Sequence, residues 1–305
     1  MSKQLLSLLV FSFLFLGAHP AVAQTSDTRL PKTIPLELSN DGHIFLRVRV
    51  NGSQPLLFGL DSGFEQSAIT RKQAETLKLK LYGETQVAGA GENTEDFSFT
   101  KNVSFDLSGL SFQLREVGVL ALDFPAPVPE DIIAGILGYD FISRFVVAID
   151  FASKSLQLYN PRSYRYRGRG SVLPIKLLDN NPSIQATVCL PGLAPVTGMF
   201  AIDTGAGNEI FFNSPFVRRY KLLESKQETR EAKTLGIGGT SKSRIGRATS
   251  IRLGRATIAN PTVQFSQATK GDDATAITAG HIGNGIFRHF KLTIFDQARR
   301  RLILE

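Results

Sequence analysis

Two short acidic motifs carry the clearest chemistry in this chain. Asp61-Ser62-Gly63 follows the apolar run Leu56-Leu57-Phe58-Gly59-Leu60, and Asp203-Thr204-Gly205 follows Met199-Phe200-Ala201-Ile202. A lone triplet of this composition serves a turn as readily as a site. Here both triplets also precede apolar stretches, one ending at Ala68-Ile69 and the other at Ile210-Phe211-Phe212, and a surface turn has no need of hydrophobic walls on both sides. If the motifs meet about a pseudo-two-fold axis, the two carboxyls approach one another. Unit charges about 3 Å apart at an effective dielectric near 20 repel by roughly 5–6 kcal/mol, equivalent to about 4 pH units. Such a pair holds one proton near neutrality, and its titration belongs to the pair. The ionised carboxylate can take a proton from a bound water while its protonated partner polarises a carbonyl. Ser62 and Thr204 have hydroxyls that can tie the two loops together, and Gly63 and Gly205 permit close backbone approach.

The elements that must position these residues occur twice. After the first motif, Thr70-Arg71-Lys72-Gln73 has capping-box spacing ahead of Ala74 and Leu77. After the second, Ser214 precedes Pro215, which suits a first helical turn. Each copy continues to a glycine-rich hairpin, Gly89-Ala90-Gly91 and Gly236-Ile237-Gly238-Gly239. Those tips are candidate flaps over a cleft, with Gly89, Ala90, Gly91, Gly236, Ile237 and Gly238 at their ends. The copies close on Ile136-Leu137-Gly138 and His281-Ile282-Gly283, then run into strand-like text at 145–158 and 290–304. A duplication this long predicts two complete β-rich lobes, at 24–159 and 172–305, each with one short helix soon after its Asp motif. The stretch 160–171, rich in Pro, Gly, Arg and Tyr, reads as an exposed linker.

Composition narrows the alternatives. The chain has 305 residues, 42% hydrophobic and 20% charged, an ordinary globular balance. Residues 1–23 read as a secretory signal: Lys3, the apolar run Leu5 to Gly17, then Ala21-Val22-Ala23. That predicts a periplasmic or secreted chain beginning near Gln24, with no later segment that spans a membrane. The sole cysteine, Cys189, rules out an internal disulfide and reads as a small hydrophobe. The net charge of +8 is dispersed. Its densest patch, Arg162, Arg165, Arg167 and Arg169 with Tyr164 and Tyr166, is read as linker, and no nucleic-acid partner is expected. No zinc-binding His-Glu-x-x-His helix, Gly-x-Ser-x-Gly elbow or phosphate loop is present. His43, His281 and His289 lack metal-site spacing, so no metal is expected.

Taken together, Leu60-Asp61-Ser62-Gly63, Ile202-Asp203-Thr204-Gly205-Ala206 and the two late apolar-Gly segments resemble the retropepsin-like and pepsin-like aspartic proteases, in a bacterial-type form with both lobes in one chain. The resemblance covers roughly residues 34–305. It implies an all-β bilobed acid-protease fold of two pseudo-symmetric, barrel-like lobes. It implies Asp61 and Asp203 as catalytic residues, a peptide or protein substrate held extended in the cleft, and no cofactor. An internally duplicated chain needs no second copy to complete its site, so a monomer is expected. Phe64 stands where the family has a small residue, and the first hairpin lacks the tyrosine of pepsin-type flaps. These departures keep two other readings open: a weak or inactive relative that binds peptides or an envelope partner, and a basic surface-binding protein whose Asp motifs are turns.

Overall fold

The computed structural model describes residues 30–121 and 132–305; the expected signal at 1–23 lies outside them. Three sheets carry the fold. An eight-stranded sheet is built from the first half of the chain and a sheet of ten strands from the second. A six-stranded sheet joins them, in the order Lys32–Pro35, Ser155–Tyr159, Val146–Asp150, Thr293–Asp296, Arg301–Leu304, Ser171–Pro174. Its outer, middle and inner strands come pairwise from the two halves, so the order is a palindrome under exchange of the halves. The joint is the antiparallel pairing of Val146–Asp150 with Thr293–Asp296, in which Val147 faces Phe295. The fold is all-β and two-lobed, as the duplicated text predicts.

Inside each lobe the topology repeats. Strand Ile133–Leu137 lies between Leu56–Leu60, to which it is parallel, and Ala68–Thr70, to which it is antiparallel. Strand Gly280–Gly283 lies in the same way between Val196–Asp203 and Ile210–Phe212. Both late strands are buried throughout apart from His281, which explains their continuous apolar and glycine text. The long hairpin differs between lobes. In the first it runs unbroken from Thr94–Leu107 into Leu110–Leu120 through the positive-φ turn Ser108-Gly109. In the second it is interrupted between Arg247 and Ser250 and between Ala259 and Thr262. Pro261 sits at that break and has no N–H for a ladder, while its carbonyl accepts from Ala248 N–H.

The helices after the Asp motifs are present. Arg71–Thr76 begins at Thr70, whose hydroxyl accepts from the Gln73 N–H at 3.3 Å. Ser214–Arg219 takes Asn213 as its cap, and the Ser214 hydroxyl instead donates to Ala268 O at 2.6 Å. Each lobe carries a second, single-turn helix not anticipated from sequence, Tyr139–Ile142 and Asn284–Phe287, directly after the closing glycine. The stretch 160–170 is less exposed than its composition predicts. Tyr164 and Tyr166 pack on Val146, Ala148, Ile294 and Ile303 across the joining sheet, leaving the arginines at the surface. Ser171 already belongs to the next strand.

Candidate active site

Asp61 and Asp203 end, or immediately follow, equivalent strands. The Asp61 N–H donates to Leu137 O at 3.0 Å, and Asp203 pairs with Gly283. The late strand thus holds each Asp loop from below. Four crossed hydrogen bonds lock the loops to each other. Ser62 N–H donates to Thr204 Oγ1 at 2.9 Å and Thr204 N–H donates to Ser62 Oγ at 3.1 Å. The hydroxyls donate onward, Ser62 to Ile202 O at 2.7 Å and Thr204 to Leu60 O at 2.9 Å. Both side chains are fully buried, so each bond does its work out of water.

The carboxyls sit over the opposite loop. Gly63 N–H donates to Asp61 Oδ1 at 2.8 Å and Gly205 N–H to Asp203 Oδ1 at 2.9 Å. A Cβ on Gly63 would stand 3.4 Å from Asp203 Cγ, and one on Gly205 would overlap the Asp61 carboxyl. At position 205 only glycine leaves room for the opposite acid. The carboxyls lie within hydrogen-bonding reach of each other, enclosed by protein yet partly open to the cleft. Burial, then the Asp203 charge, push Asp61 up to about 8, against N–H donors from Gly63 and Phe64. Burial raises Asp203 to about 6, opposed first by the Gly205 N–H.

The family finding follows the same two segments. An aspartyl protease model matches the chain twice, over residues 46–141 and 185–284. The chain belongs to the aspartyl protease family. A comparison with curated proteins found no match. Each matched segment contains one Asp loop, its following helix, its hairpin and its late strand.

Phe64, the departure from the family pattern, contributes its N–H to Asp61 and its carbonyl to Tyr139 N–H at 2.8 Å. Its ring packs with Ala68, Phe97, Leu120 and Ile136, so it adds an apolar wall beside the carboxyl. The two hairpin tips meet. Gly238 N–H donates to Ala90 O at 2.8 Å, Asn93 N–H donates to Gly238 O at 2.9 Å, and Gly91 bridges Gly238. Ile237 reaches across to the apolar wall of the other lobe. Gly89 O accepts from Asp272 N–H at 3.1 Å, and Glu92 Oε1 accepts from Thr269 N–H at 2.9 Å.

Several site residues escaped the sequence reading. Asn284 is fully buried and donates to Thr204 O at 2.7 Å and Gly42 O at 3.0 Å, bracing the second loop against the first lobe. Ser67 Oγ accepts from Gly138 N–H at 3.0 Å, and Ser67 N–H donates to Asp140 Oδ1 at 2.9 Å, fastening the first late strand. The only hint was the place of Asn284 and Asp140 in the repeated closing segments. Asp273 and Ser241, joined by a 2.6 Å hydrogen bond, gave none.

Proposed function

We propose that this chain is an active aspartic endopeptidase, with Asp61 and Asp203 sharing one proton and activating a water against a peptide carbonyl. The observation that carries the reading is the set of reciprocal Ser62–Thr204 hydrogen bonds, which hold two otherwise repelling carboxyls at one seam. The ionised carboxylate takes a proton from water as the oxygen attacks the carbonyl carbon. The protonated carboxyl gives its proton to the carbonyl oxygen, leaving a neutral gem-diol. Collapse breaks the C–N bond: the protonated carboxyl gives its proton to the departing nitrogen, and the ionised carboxylate takes a proton from a diol hydroxyl as the new carboxyl forms. In each step one carboxyl takes a proton and the other gives one, so the dyad ends a turnover as it began and no covalent enzyme intermediate enters. The hairpin tips act as paired flaps: they part for an extended peptide and exclude bulk water once closed. The leader-like text at 1–23 supports a site of action outside the cytoplasm.

The test is incubation of the purified chain with a mixed peptide library, with products read by mass spectrometry. Cleavage is expected, and Asp203→Asn is expected to lower it by at least about a thousandfold with the fold intact, because one member of the dyad can no longer titrate. Cleavage that survives in Asp203→Asn would overturn the proposal.

A further inference from the structure

The two walls of the cleft are chemically unlike. Strand register aligns them residue by residue. Leu60 faces Leu137 as Ile202 faces Ile282, so Ile136 corresponds to His281. Ala68 faces Ile136 as Phe211 faces His281. Carried through the next strands, Leu120 and Phe97 correspond to Ser266 and Ser243. The first wall is therefore Ala68, Phe97, Leu120 and Ile136, roofed by Ile237 from the opposite tip. The second is Phe211, Ser243, Ser266 and His281. Its roof is the opposite tip too, because Gly89 O accepts from Asp272 N–H at 3.1 Å, next to Asp273. Both walls lie on the sheet face turned away from the main core, since Leu137 and Ile282 beside them belong to that core.

The second wall is built around an acid without a cation. Asp273 is 2% exposed and accepts from Ser241 Oγ at 2.6 Å. The charged or titratable groups that bear on it are His281 and Asp272, and Asp179 bears in turn on Asp272. Among the described residues no lysine or arginine pairs with Asp272 or Asp273. His281 stacks on Phe211 with centroids 4.7 Å apart and planes 4° from parallel, and its Nε2 lies 3.1 Å from Asn208 Nδ2. Burial holds the His281 pKa down to about 4, so the ring supplies no positive charge near neutrality. Burial pushes the Asp273 carboxyl up toward its neutral form, and a cation arriving beside it would favour the ionised form instead.

We propose that this second wall is the subsite for a basic substrate side chain, lysine or arginine, while the wall of Ala68, Phe97, Leu120 and Ile136 takes an apolar one on the other side of the scissile bond. Asp273 is the specificity residue, set in place by Ser241 and by the closed Gly91 tip. The inference rests on the dyad reading above and adds the substrate class to it.

The test uses matched peptides that differ at one position flanking the cut, lysine against norleucine, which has a similar length and no charge. Two readouts are taken: kcat/KM with the unaltered chain, and Kd by fluorescence anisotropy with the non-cleaving Asp203→Asn chain. Lysine is expected to be favoured about tenfold or more in both, and Asp273→Asn to bring that ratio close to one. His281→Ile, which copies the first wall, is expected to shift the ratio toward norleucine. Equal or better handling of norleucine by the unaltered chain overturns the subsite, as does a lysine preference that survives Asp273→Asn. Cleavage without lysine preference sinks the subsite and leaves the dyad standing. Lysine-selective binding without turnover by the unaltered chain sinks the dyad and leaves the subsite. Neither binding nor cleavage sinks both.

Discussion

Ser62 and Thr204 show at the residue scale how a costly arrangement is kept. Two acids at one seam destabilise each other, and the loops stay together through hydroxyl-to-backbone bonds made in both directions. Ser62→Ala leaves the Thr204 N–H and the Ile202 carbonyl buried without that partner. A loss of about 1–3 kcal/mol is expected by urea denaturation, and a loss below about 0.5 kcal/mol would show that the grip is not what holds the loops. The pairing itself was legible: Asp-Ser-Gly and Asp-Thr-Gly recur 142 residues apart, and the crossed bonds keep that spacing. Asp273 was not legible. In Gly271-Asp272-Asp273-Ala274 the text reads as a solvated turn, and only contacts with Ser241 and with the other lobe's Gly91 bury it.

Among the elements, the hairpins carry the most readable signal and the least readable consequence. Glycine at both tips announces tight turns, but not that the tips pair. Gly91 has φ +111°, and a Cβ there would overlap Gly238. Gly91→Ala is therefore expected to hold the tips apart. kcat/KM should fall about tenfold to a hundredfold through loss of positioning, with faster amide exchange across 82–94 and 230–240. Unchanged exchange in both hairpins would refute tip pairing as the closure. The one-turn helices at Tyr139–Ile142 and Asn284–Phe287 were missed because four residues are too few for a helical period to show. They start where the late strand must leave the sheet after its glycine. Asn213 stands at the cap position of Ser214–Arg219 without a side-chain cap bond, and Ser214 spends its hydroxyl on Ala268.

For the whole molecule, the raised dyad couples stability to pH. An aspartate whose folded pKa lies above its unfolded value binds more protons when folded, so it stabilises at low pH and loses that contribution as pH rises. For this pair the window runs from about pH 4, the ordinary aspartate range, to about 8. Asp140, Asp272 and Asp273 are raised too and act in the same direction. His281 is lowered and acts oppositely, losing its contribution as pH falls from 6.5 to about 4. The dyad's share is isolated by comparing melts of the unaltered chain and Asp61→Asn. The variant's relative Tm should climb between pH 5 and 8, and a flat difference would contradict a shared buried proton. The duplication was plain in the sequence because both halves repeat the same order of motifs. The joining sheet was not, since pairing of Val146–Asp150 with Thr293–Asp296 depends on the two lobes already being formed.

The pH dependence of kcat/KM for a cleaved peptide tests the shared proton most directly. The account predicts a bell with its maximum between about pH 6 and about pH 8, where one carboxyl of the pair is ionised and the other protonated, and its loss in both Asp61→Asn and Asp203→Asn. A profile governed by a single ionisation, or one left standing when either aspartate is replaced, would contradict it.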